Sequence, residues 1–138
     1  MAEFKEYDTY DAIGLAELVK RKQVSPTDLV DTAIARAERL NPKLNAIVHP
    51  AHDQARAAIA RGLPDGPFTG VPFLLKDLGC EAVGYATHSG SRFFADYQWT
   101  VDSEIWIRLR RAGLVAFART TSPELGISPA TEAKVYGG

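Results

Sequence analysis

An α/β fold is what this chain predicts. Two short apolar runs, Val71–Leu75 and Leu114–Ala118, read as strands buried on both faces, the pattern of a mostly parallel sheet. Stretches of helical periodicity lie before and between them, and that alternation is the signature of helices layered on a sheet. The 138 residues suffice for one domain with a modest core, so we treat 1–138 as a single unit.

The elements follow in order. Asp11–Arg21 reads as a short helix with Ala12, Leu15, Leu18 and Val19 on one side. A second helix begins at Ser25, which caps, followed by Pro26 at the first helical position and Asp28 in the first turn. Its apolar stripe is Leu29, Val30, Ala33, Ile34, Ala37 and Leu40, and Asn41-Pro42 is expected to stop it. Asn45–His49 reads as a short strand, and Pro50–Arg61 as an Ala-rich helix closed by Gly62. Val71–Leu75 follows, with Pro72 limiting its pairing to one side at that point. Gly79–Thr100 reads as irregular, with room for one short strand. Asp102 is expected to cap a helix with the stripe Ile105, Leu109 and Ala112, ended by Gly113, and Leu114–Ala118 is the last strand. Ser103 is expected at the surface, and Ser122-Pro123-Glu124 at a turn or helix start. Three strands make a small sheet, and the chain reads as the front part of something larger.

Bulk properties narrow the function classes. A formal net charge of −1 gives no support to electrostatic binding of nucleic acid or an anionic membrane. The one cysteine, Cys80, excludes a disulfide framework within the chain and a Cys-rich zinc site. The N-terminus has neither a signal-peptide pattern nor an apolar run long enough for an anchor, so the expected location is cytoplasmic.

Several residues are candidates for chemistry. Lys76 closes the apolar run Val71–Leu75. Strand alternation puts it on the face of Pro72 and Leu74, opposite Asp77. A lysine held dry there would favour the neutral amine and could accept a proton; spacing alone weighs toward one that reaches water. Ser89 and Ser91 flank the segment after His88, which suggests a serine–histidine pair, yet no G-x-S-x-G elbow is present and Gly/Ser stretches more often turn. Cys80 is a further candidate nucleophile, against the plainer reading of a small buried apolar group. His49, His52 and Asp53 can be drawn as a metal site, but no further ligand at a recognised spacing supports it, so no metal is expected. Phosphate-binding glycine loops are absent, and no nucleotide cofactor is expected.

The segments "GPFTGVPFLLKDL", "DSEIWIRLRRAGLVAFARTTSPELG" and "TEAKVYGG", in that order, resemble the front third of an amidase signature enzyme. "SPTDLVDTAIARAERLNPKLNAIV" is similar to that family's first long helix and the strand after it. The form "TTSPELGISPATE" is closest in style to bacterial amidases of the 6-aminohexanoate-cyclic-dimer hydrolase type. The resemblance implies an α/β/α fold with a large mixed sheet, of which this chain is an incomplete N-terminal part. It implies hydrolysis of small linear or cyclic carboxamides by a Ser–cis-Ser–Lys triad without metal or cofactor. The family's catalytic lysine lies in the K-D dipeptide, here Lys76-Asp77, so Lys76 would be the base. Both family serines lie in a Gly/Ser-rich signature downstream of the part matched. None of Ser25, Ser89, Ser91, Ser103, Ser122 and Ser128 stands at their positions. The expectation is therefore a chain inactive alone, either part of an amidase or a non-catalytic module that binds a complementary chain or self-associates.

Overall fold

The computed structural model describes residues 4–137, and the α/β expectation holds: helices pack on a small mixed sheet. Helix α1, Ala12–Lys20, starts where the Asp11 carboxylate accepts the Gly14 amide at 2.7 Å. Helix α2, Pro26–Leu44, opens on a capping box: the Ser25 hydroxyl accepts the Asp28 amide, and the Asp28 carboxylate accepts the Ser25 amide. It does not stop at Asn41-Pro42. Pro42 sits inside the last turn, and the helix ends at Asn45, whose φ of 46° is the left-handed conformation asparagine tolerates. The Asn41 side chain accepts the Ala46 and Ile47 amides and donates to the Ile47 carbonyl, turning the chain into the sheet.

Strand β1 is only Ile47–Val48, shorter than the stretch expected. Helix α3, His52–Arg61, follows, closed by Gly62. Strand β2, Pro72–Lys76, pairs in parallel with β3, Val115–Thr120, which in turn pairs antiparallel with β1. The order β1-β3-β2 puts β3 at the centre and gives β2 one partner strand among the described residues, with Pro72 at its first position, where the missing N–H is tolerated. Val115 and Phe117 face Val30, Ala33, Ile34 and Ala55 of α2 and α3, with Leu74 of β2 against the same cluster. Ala116, Phe73 and Leu75 face the other way, against Cys80, Ala82 and Trp106. Both faces of β3 are therefore covered, which is why its first four residues, Val115 to Ala118, are all apolar.

Helix α4, Glu104–Arg111, corrects two expectations. Ser103 caps it, accepting the Trp106 amide, and is partly buried; Asp102 instead accepts the Val83 amide and pairs with Arg110 at 3.1 Å. Its buried face is Trp106, with Ile105 exposed. Gly113 turns the chain toward β3 at φ 91°, where an added Cβ would lie 2.5 Å from the Thr69 Cα. Between β2 and α4 the chain is irregular, with one 3-10 turn, Arg92–Phe94, and no strand among the described residues. A last 3-10 turn, Lys134–Tyr136, returns Tyr136 to the end of β2. No helix among the described residues is long and apolar enough to cross a membrane.

Candidate functional site

The carboxyl end of β2 carries the chemistry, but on two faces with opposite characters. The Lys76 side chain is exposed, so the expected dry amine is not realised in this chain; the alternative of a lysine reaching water is. The reason is positional. Lys76 is the last residue of a strand with one partner strand, and its face at that end is uncovered. Its carbonyl is occupied, accepting Arg119 Nη1 at 2.7 Å.

Asp77, one residue on, is the buried charge. It is fully buried, and its amide donates to the Thr120 carbonyl at 2.9 Å, extending the parallel pairing by one bond. Oδ1 accepts Thr87 Oγ1 at 2.7 Å and the His88 amide at 2.9 Å. Oδ2 accepts the Tyr136 hydroxyl at 2.5 Å, with His49 Nε2 at 3.4 Å. Burial alone would raise the Asp77 pKa. The contacts from His49, Tyr136, Thr87 and the His88 amide outweigh it and hold the carboxyl below the usual carboxylate range. Burial conversely raises the Tyr136 phenol, with its bond to Asp77 adding to the shift, so the tyrosine is the donor of this pair. Ser122, also fully buried, donates to the Asp77 carbonyl at 3.1 Å.

His88 does not meet a serine. Its ring lies edge-on to His49, centroids 4.2 Å apart, and near-parallel to Tyr136 at 6.4 Å. Burial lowers the His88 pKa, and neighbouring His49 lowers it further. Ser91 donates instead to Glu124 at 2.7 Å, and Ser89 sits at φ 50° with its carbonyl accepting the Leu125 amide. The serine–histidine pair is therefore not formed. Nor does Cys80 fit a nucleophile: it packs with Leu75, Ala82 and Trp106, and burial pushes its thiol up, against formation of a thiolate. The His49, His52, Asp53 grouping is also not realised, because His49 turns to Asp77 while Asp53 is exposed on α3. Asp77 and Tyr136 are the site residues that sequence reasoning missed. The K-D dipeptide marks Asp77, but its partners come from residues 49, 87, 88 and 136, far apart in sequence.

Known proteins resemble this chain over most of its length. The amidase family profile matches residues 28–138. The 6-aminohexanoate-cyclic-dimer hydrolase of Paenarthrobacter ureafaciens is 35% identical over 129 residues, 92% of this chain and 26% of that protein. A lipoamidase of Enterococcus faecalis is 36% identical over 134 residues, 96% of this chain and 18% of that one. Among solved structures, 6-aminohexanoate cyclic dimer hydrolase complexed with substrate superposes with a TM-score of 0.82 at 34% identity, over 92% of this chain and 26% of that one. A bacterial aryl acylamidase of the amidase signature family superposes with a TM-score of 0.78 at 32% identity, over 88% and 27% respectively. The chain thus spans about a quarter of the length of most of these relatives.

Proposed function

Because this chain belongs to the amidase family, we propose that it contributes Lys76 as the base of a Ser–cis-Ser–Lys site that hydrolyses carboxylic amides, the two serines being supplied by sequence outside these 138 residues. The observation that carries the proposal is the position of Lys76. It ends β2 at the carboxyl end of the parallel β2–β3 pair, the end where α/β sheets bind their ligands, and its side chain is free to meet further polypeptide. In this reading Lys76 takes a proton from the middle serine, which in turn takes one from the nucleophile as it attacks the amide carbon. The proton then returns to the departing amine. The buried Asp77 network fixes the strand end from which Lys76 projects. Without the serines and an oxyanion cradle most of the rate enhancement is missing, so the chain alone is inactive.

The names of the relatives favour small linear or cyclic carboxamides as the substrate class. A reducing, cytoplasmic setting belongs to the same proposal, supported by the free Cys80 thiol. The test is a chimera in which residues 28–138 replace the matching quarter of the Paenarthrobacter hydrolase. We expect turnover of the cyclic dimer, lost at least about a thousandfold in Lys76→Ala with folding intact. Equal turnover in the two chimeras would end the proposal.

A second reading has its own observation: β2 pairs on one side only, and large apolar side chains such as Phe93 and Ile127 are exposed. In it the chain is a non-catalytic module that docks on a complementary chain or on itself. Sedimentation of the purified chain distinguishes the two states, with a strictly monomeric chain at micromolar concentration counting against docking on itself.

A further inference from the structure

The face of β2 opposite Lys76 holds a donor set that the amide-hydrolysis reading does not use. His49, Asp77 and His88 come from the end of β1, the end of β2 and the irregular segment beyond it. One ligand-type atom from each lies within 4.8 Å of the others. His49 Nε2 and His88 Nδ1 are buried, and neither makes a well-formed hydrogen bond among the described residues, although His49 Nε2 lies 3.4 Å from Asp77 Oδ2. Buried polar atoms of this kind are rare in folded proteins and need an explanation. Two protonated imidazoles with centroids 4.2 Å apart would repel, so a pair of imidazolium ions is a poor one.

We propose that His49 Nε2, Asp77 Oδ2 and His88 Nδ1 bind one divalent first-row transition-metal ion of the zinc type. Two imidazoles and a carboxylate suit zinc, cobalt or nickel, and not calcium or magnesium, which take oxygen ligands. The atoms need modest convergence. Tetrahedral zinc with bonds of about 2.0–2.2 Å sets its ligands about 3.3 Å apart; His49 Nε2 and Asp77 Oδ2 are already 3.4 Å apart, and one ligand atom from each of the three residues lies within 4.8 Å of the other two. Rotation of the His88 ring closes the remainder.

The surroundings orient these ligands. Asp77 Oδ1 is held by Thr87 and the His88 amide, which leaves Oδ2 as the ligand oxygen. Tyr136 occupies one lone-pair direction of Oδ2, and a carboxylate oxygen has a second. With Nδ1 unpartnered, the tautomer that carries its proton on Nε2 presents the Nδ1 lone pair. The backbone is left-handed at His49, φ 47°, and at Ser89 beside His88, φ 50°. Non-glycine strain of this kind persists where the surroundings fix it, and it is concentrated at functional sites. Three protein ligands leave a fourth position for solvent. The ion would act as a clamp joining both strand ends to the long irregular segment.

The test uses the 138-residue chain after chelator treatment. Cobalt(II) should give visible d–d absorption that saturates at one equivalent and is displaced by zinc. In 15N imidazole spectra of the unaltered chain, zinc should move His49 Nε2 and His88 Nδ1 and leave His52 unchanged. His88→Gln should weaken zinc binding at least tenfold, whereas His52→Gln should leave it as it was. Should His88→Gln fail to fold, the spectra of the unaltered chain decide. No saturable cobalt band, or zinc shifts confined to His52, would overturn the assignment. Neither result bears on Lys76, which projects from the other face.

Discussion

Arg119 is the largest of the fully buried side chains. It projects from the central strand, and its Nη1 donates to the Lys76 carbonyl at 2.7 Å and to the Cys80 carbonyl at 2.9 Å. One guanidinium therefore ties together the two chain segments on either side of Asp77. Burial disfavours its charge, and the anionic Asp77 favours it. Replacing Arg119 by Met would leave two carbonyls without a donor and Asp77 without a neighbouring cation. We expect a loss of about 3 kcal/mol in urea unfolding, with Arg119→Lys intermediate because both bonds leave the single atom Nη1 and the shorter lysine chain brings its ammonium less close to the two carbonyls. At this scale the sequence was only half legible. The K-D dipeptide marks Lys76 and Asp77 by resemblance, but alternation cannot tell which neighbour is dry. That depends on Thr87, His88, Tyr136 and His49, which strand spacing does not bring to mind. Arg119 was hidden in the same way, as a charge immediately after an apolar run that looked complete at Ala118.

The elements were read more fully, and the misses have local causes. Helix α2 and strands β2 and β3 were legible because Ser25-Pro26-Thr27-Asp28 is a start signal and the two apolar runs have no helical period. The end of α2 was missed because Asn41 makes its hydrogen bonds forward, to Ala46 and Ile47, and so the turn falls at Asn45 rather than at Pro42. The start of α4 was missed because Asp102 serves Val83, nineteen residues away in sequence. Two predictions belong to this scale. Ser25→Ala removes the hydroxyl of the capping box and should cost about 1 kcal/mol in thermal unfolding. Gly113→Ala combines a left-handed φ with a Cβ driven into Thr69, and should cost at least about 2 kcal/mol; loss of less than the cap substitution would contradict the packing described.

Across the whole molecule, the β1-β3-β2 sheet protects its middle strand and leaves β2 with one partner strand. Phe93 and Ile127 are 86% and 82% exposed, and Ile13 and Leu44 also face solvent. An open strand edge with scattered apolar surface favours association. We expect the chain to self-associate in sedimentation velocity at tens of micromolar, and Phe93→Ser with Ile127→Ser to reduce that association. Both side chains lie outside the core, so the double variant should keep its melting temperature within the small range of surface substitutions. A fall of several degrees would show instead that they pack in the native state.

The sulfur of Cys80, closed in between Leu75, Ala82 and Trp106, doubles as a stopwatch for the loop beyond β2. A thiol reagent such as iodoacetamide reaches it only when that loop lifts. The ratio of its alkylation rate in denatured and native chain therefore counts how rarely the loop lifts. If the segment moves as a unit with the sheet, the ratio will match the equilibrium constant for complete unfolding. If the segment peels off first, labelling will outrun unfolding, and the difference will measure the independence of that flap.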